Sequence, residues 1–92
     1  MELIFIEGGQ SMDERIALIG IIVEDIGSID ALNDLLHSYN EYIIGRMGIP
    51  YRKKKLSIIS VIIDAPQNTI SALTGKLGMI KGLSVKTVYS KN

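Results

Sequence analysis

Three carboxylates, one histidine and one basic run are the side chains through which this sequence could do chemistry. Glu24 and Asp25 follow one long apolar segment, and Asp64 follows another. Paired carboxylates serve as general acid and base, or hold a hard cation. At the ends of strands they also terminate the strand and solvate the loop, which is the ordinary occupation of such acids. Glu24-Asp25-Ile26-Gly27-Ser28 is the stronger functional candidate. A glycine beside a helix start leaves backbone amides open to a small anion or carboxylate. These five residues form the expected ligand-binding segment.

The other groups point to less. His37 stands beside Leu36 in the last turn of a predicted helix, where an imidazole meets the carbonyl end favourably. Metal sites built on histidine recruit partners that the sequence does not offer, so no metal site is expected. No Ser, His and acid spacing suggests nucleophilic catalysis. Arg52-Lys53-Lys54-Lys55 is the one charge cluster. It reads as a solvated hairpin tip that protects a strand edge, or as a weak docking surface for an acidic protein partner. Four cations in a neutral chain give little affinity for nucleic acid at physiological salt. The aromatics, Phe5, Tyr39, Tyr42, Tyr51 and Tyr89, are not paired on strands as RNA-stacking platforms are.

These groups sit in a chain of 92 residues, the size of one domain. Ten basic and ten acidic residues cancel, which leaves no electrostatic footprint for nucleic acid or a membrane. Hydrophobic residues make up 47%, enough for a folded core. There is no cysteine, hence no disulfide framework and no thiolate chemistry. Apolar runs are too short to span a bilayer, and a cytoplasmic location is the default expectation.

What positions the candidate residues is a repeat. Ile16-Ala-Leu-Ile-Gly-Ile-Ile-Val-Glu-Asp25 aligns with Leu56-Ser-Ile-Ile-Ser-Val-Ile-Ile-Asp-Ala65, and at the same offset Ser28-Ile29 aligns with Asn68-Thr69. Each copy reads as an apolar strand, a polar cap, an amphipathic helix and a second strand. The strands are expected at 15–23, 42–50, 56–64 and 83–89. Ile29, Leu32 and Leu36 stripe the first helix, capped by Ser28; Ile70, Leu73 and Leu77 stripe the second, capped by Asn68. Gly75 is expected to permit close packing, and Gly78 to end the second helix in the left-handed conformation. Gly45, Gly48 and Pro50 suggest that the second strand is an edge or carries a bulge. Residues 1–14 are expected to be a loosely held N-terminal arm, and 15–92 the domain.

The order βαββαβ with right-handed crossovers leaves one arrangement: an α+β, ferredoxin-like sandwich, an antiparallel four-stranded sheet with two helices on one face. The first and third strands become the central pair. Both are apolar at even and at odd positions, so the face without helices would expose Ile, Leu and Val. Soluble monomers rarely expose such a face, and the chain is expected to be a homo-oligomer, a dimer or tetramer.

The segments Tyr42-Ile-Ile-Gly-Arg-Met-Gly-Ile-Pro-Tyr51, Ser71-Ala-Leu-Thr-Gly-Lys-Leu-Gly78 and Gly82-Leu-Ser-Val-Lys-Thr-Val-Tyr89 resemble the small iron-only hydrogenase system regulators over about residues 15–90. That family is similar in fold to ACT domains and to the C-terminal sensing domain of nickel-responsive repressors. The resemblance implies a non-catalytic, oligomeric regulatory domain without a cofactor. The repressors' DNA-binding element does not fit in the short segment before Arg15, so no direct DNA binding is implied. Their nickel ligands are also missing: Arg46, Met47, Ile49, Leu56, Ile58 and Ile59 stand on the second and third strands. ACT domains often bind amino acids where the first strand meets the first helix. Asp25-Ile26-Gly27-Ser28 resembles that loop, with isoleucine in place of the usual proline.

The expected function is therefore a regulatory domain that senses a small ligand, such as an amino acid, at Glu24–Ser28, or binds a partner protein. The alternatives are a ligand-free oligomerisation module and, further off, a small ferredoxin-like enzyme. An acylphosphatase would need an arginine and a phosphate-cradling loop where Glu24 and Asp25 place acids.

Overall fold

In the computed structural model, residues 14–91 are described; the expected N-terminal arm, up to residue 13, lies outside them. The described residues form strands β1 (Glu14–Val23), β2 (Ile43–Tyr51), β3 (Leu56–Pro66) and β4 (Leu83–Tyr89). Helix α1 (Ile29–Ser38) follows β1, and α2 (Gln67–Gly78) follows β3. The sheet order is β2-β3-β1-β4, with every pair antiparallel. This is the ferredoxin-like sandwich, and the two strands without a polar face are the central ones.

Alternation along the strands sorts the two faces. Ala17, Ile19, Ile21 and Val23 of β1 and Ile59, Val61, Ile63 and Ala65 of β3 are buried beneath the helices. Leu32 and Leu36 of α1 and Ile70, Leu73 and Leu77 of α2 pack onto them with no exposed surface. The helical period of 3.6 and the strand period of 2 thus converge on one core.

The even-numbered residues of the central strands face away from the helices. Ile16, Leu18, Ile22, Ile58 and Ile62 are each between 39% and 48% exposed. Strand register sets them in rows across the sheet. Val88, Leu18, Ile62 and Gly45 form one row; Ser84, Ile22, Ile58 and Ile49 form another. Between them run Lys86, Gly20, Ser60 and Met47. A hollow of about 300 Å³ opens beside Ile16, Leu18, Ile62 and Val88.

One local expectation is met and several are corrected. The edge strand β2 does carry a bulge, between Ile43 and Gly45. Ser28 stands at the N-cap of α1 as expected, but its side chain makes no cap bond there; a 3-10 turn (Ile26–Ser28) precedes the helix, and the side-chain cap is Asp25 on that turn. Helix α2 begins one residue before Asn68, with Pro66 at its N-cap, where the ring's fixed φ suits entry to a helix. Gly78 remains in right-handed helix, and the left-handed glycine is Gly82, at φ 78°. Gly75 has no neighbour within 4 Å of where a Cβ would stand, so it serves no close approach. Glu14 pairs with Pro66 and belongs to β1.

Candidate functional site

The loop after β1 is held from below by the turn before β4. Glu24 N–H donates to the Gly82 carbonyl at 2.8 Å. Ser28 is buried, and its hydroxyl donates to the Lys81 carbonyl at 2.6 Å. Asp25 organises the loop itself. Its Oδ1 accepts from Gly27 N–H at 3.0 Å and its carbonyl accepts from Ser28 N–H at 2.9 Å. A short acid accepting from the backbone two residues on is the usual Asx device for tightening a turn.

These bonds change what the loop can do. The Gly27 and Ser28 amides, which an open glycine loop would present to an anion, are already taken by Asp25. The Ser28 side chain points into the fold. What the segment presents outward is Glu24, Asp25 and Ile26, the last 77% exposed.

The complement comes from the basic run. Arg52–Lys54 form a 3-10 turn between β2 and β3, and Lys55 closes it in the left-handed conformation at φ 57°, its N–H bonded to the Arg52 carbonyl at 3.1 Å. Because β1 and β3 are antiparallel, with Val23 opposite Ser57, the end of β1 lies beside the start of β3. Glu24, Asp25, Ile26, Arg52 and Lys55 consequently line one open cavity of about 650 Å³. Two segments that the sequence suggested for separate tasks meet at a single cavity. Lys53 and Lys54 stay exposed outside it.

The third carboxylate does not join them. Asp64 pairs with Ile16, at the far end of the central strands, about 24 Å from Val23 at roughly 3.4 Å per residue. An antiparallel repeat necessarily sends equivalent strand ends in opposite directions. His37 is exposed on α1, and among the described residues no three His, Asp or Glu side chains gather as a metal site.

Sequence reasoning missed a polar clip at that far end. Arg15 Nη1 donates to Gln67 Oε1 and Nη2 to the Ser90 carbonyl, both at 2.9 Å, while the guanidinium stacks 4.7 Å from the Tyr89 ring centroid. Gln67 Nε2 completes the clip by donating to the Tyr89 hydroxyl at 2.8 Å. The partners are 22 to 75 residues apart, so no local spacing signals them.

Comparison with known proteins agrees with this architecture. The uncharacterized protein TM1266 from Thermotoga maritima is 38% identical, with a TM-score of 0.81 over 85% of this chain and 99% of that one. A formyltetrahydrofolate deformylase from Pseudomonas putida KT2440 shares the fold at 13% identity and a TM-score of 0.57, over 85% of this chain but 29% of the enzyme. No curated protein matches the sequence. The model of the TM1266-like family covers residues 15–87, and the chain belongs to that family, described as "Iron-only hydrogenase system regulator, putative".

Proposed function

We propose that this protein is a non-catalytic, homo-oligomeric, ACT-like regulatory domain of an iron-only hydrogenase system. It senses a small ligand at the loop after β1 and passes the change to a partner protein, through which it affects transcription without touching DNA. The observation that carries this reading is the open sheet face. Ile16, Leu18 and Ile62 on one side of the Gly20–Ser60 row, and Ile22 and Ile58 on the other, form two apolar bands with no helix of the described residues over them. A sheet four strands wide and about eight residues long presents roughly 500 Å² of plane before side-chain relief is counted. That approaches the roughly 800 Å² per partner of a standard stable interface.

A second copy fits this face better than an unrelated charged protein, because the central-strand residues on either side of Gly20 and Ser60 are apolar. The rows flank the smaller Gly20 and Ser60, so each copy offers ridges and a trough to the other, as an isologous two-fold contact requires. The cavity of Glu24, Asp25, Ile26, Arg52 and Lys55 lies where the central strands end, so occupancy there can alter how subunits meet.

Assembly linked to folding makes the melting temperature depend on protein concentration. Unfolding followed by circular dichroism from 1 to 100 μM should show Tm rising with concentration. A Tm constant over that range contradicts the oligomeric reading. The alternative, a ligand-free oligomerisation module, gains support from the internally bonded Gly27 and Ser28 amides. It would show the same concentration dependence and no response to any small molecule.

A further inference from the structure

Strand β2 ends the sheet, and among the described residues its outer edge has no neighbouring strand. An unpaired edge offers backbone N–H and carbonyl groups to another extended chain, and edges are commonly blunted by lysine, proline or a bulge. In β2 such devices stand only at the ends. The bulge lies between Ile43 and Gly45, and Pro50 is the last residue but one. Arg46 is the one charge between them, and it does not guard the edge. Its Nη2 reaches over the helix face and donates to Asn33 Oδ1 of α1 at 2.8 Å.

Register sets Arg46, Gly48 and Pro50 on that face, opposite Val61, Ile59 and Ser57. A groove of about 270 Å³ opens there between β2 and α1, lined by Ile29, Asn33, Arg46, Gly48, Pro50 and Ile59. A Cβ on Gly48 would stand 3.6 Å from Ile59 Cγ1, an ordinary contact, so the groove has room for a side chain that β2 does not supply. It lies on the opposite side of the sheet from the apolar bands. A second copy seated over those bands leaves it open.

Charge along the edge has one sign. Residues 43–55 hold Arg46, Arg52, Lys53, Lys54 and Lys55, half of the ten basic residues in the chain, and no acid. Arg52 and Lys55 face Glu24 and Asp25 across the other cavity. Arg46, Lys53 and Lys54 form no ion pair among the described residues, and the acids of α1, Asp30 and Asp34, do not line the groove.

We propose that the edge of β2 takes up an extended, acidic segment of the partner protein as a fifth strand. Backbone pairing supplies affinity, and the side chains on the helix face supply the choice of partner. Residues two apart on a strand share a face and stand about 7 Å from each other, as Arg46 and Gly48 do. The partner therefore carries an acid that meets Arg46 and, two places away, an apolar residue that enters the groove beside Gly48. Acids four or five places beyond the apolar residue meet Lys53 and Lys54. A basic strand gains the same backbone bonds but meets like charge along the whole edge. The inference rests on the partner-protein part of the reading above and says where and with what chemistry that partner docks.

The test selects a random decapeptide library, displayed on phage, against the full chain and titrates the enriched peptides by two-dimensional NMR of backbone amides. The expected peptides carry an acid and an apolar residue two places apart, and produce saturable shifts at residues 44–54 and at Ile29 and Asn33. Arg46→Gln should weaken their binding at least fivefold. Gly48→Val fills the groove with a residue suited to a strand, and should weaken binding at least tenfold in a chain whose circular dichroism is unaltered. Lys81→Gln, on the turn before β4, should leave binding unchanged. Equal binding to the wild type and to Gly48→Val overturns the inference, as does a library that yields no peptide at β2. Peptides that shift only other residues keep a partner-binding module and overturn its placement. Amides 44–51 whose protection from exchange grows with concentration of the protein alone show a second copy at the edge, which also overturns the inference. In each of these cases a Tm that still rises with protein concentration leaves the oligomeric reading standing. A constant Tm with a peptide bound at β2 removes the oligomer and keeps the docking site.

Discussion

Gly82 and Asp25 are in backbone contact across the base of the candidate site. A Cβ on Gly82 would stand 2.4 Å from the Asp25 Cβ, and the Gly82 φ of 78° is one that other residues adopt at a cost. The loop after β1 can therefore lie where it does only because the turn before β4 has no side chain at this position. The Glu24 N–H bond to the Gly82 carbonyl fixes the same approach from the other direction.

Gly82→Ala should destabilise the fold by about 2–3 kcal/mol, from the left-handed backbone and the displaced loop together. Chemical denaturation at fixed protein concentration measures it. A change within the roughly 0.5 kcal/mol typical of an unconstrained surface site would show that the loop moves aside freely and that Gly82 does not set its position.

Ser28→Ala removes the hydroxyl that donates to the Lys81 carbonyl at 2.6 Å. The expected loss is about 1 kcal/mol, since the bond is partly buried and water can reach part of it. Amide exchange at residues 24–28 should accelerate in parallel. Unchanged stability and exchange would place the latch elsewhere.

The two ends of the central strands should respond unequally to loss of their cations. Arg15→Ala breaks two hydrogen bonds and a cation–π contact, and should cost about 1–2 kcal/mol. Lys55→Ala touches only the cavity wall and should change stability by less than about 0.5 kcal/mol. Equal effects in urea denaturation would contradict the contrast between a filled end and an open one.

Leu18→Lys places a charge at the centre of the open sheet face. In an isolated subunit this exposed position would tolerate the change within about 0.5 kcal/mol. In an assembly it should lower the mass to that of one chain and remove the concentration dependence of Tm. Leu73→Ala, in the core beneath the helices, should cost about 2–5 kcal/mol in either case. Sedimentation velocity and denaturation on the two variants separate interface from core. A Leu18→Lys variant with the wild-type mass would show that subunits do not meet at this face.

Much of the fold was legible because two periodicities reinforce each other within a repeat. Even the edge status of β2 and its bulge followed from Gly45, Gly48 and Pro50. Boundaries and caps were less readable, since Ser28, Asp25 and Asn68 are all competent caps and only packing decides among them. The candidate site was half legible. Glu24, Asp25 and Ile26 line the cavity, but Gly27 and Ser28 are spent on holding the loop. That Arg52 and Lys55 would face them depends on strand register, a long-range property. The same holds for Arg15, whose clip partners lie across three elements.

In the proposed assembly, another copy of this chain covers the open sheet face. Multi-angle light scattering on the wild-type protein at 10 μM tests it most directly. The expected mass is at least twice the 10.1 kDa of one chain. A single species at 10.1 kDa, with Leu18 and Ile62 facing water, would contradict it.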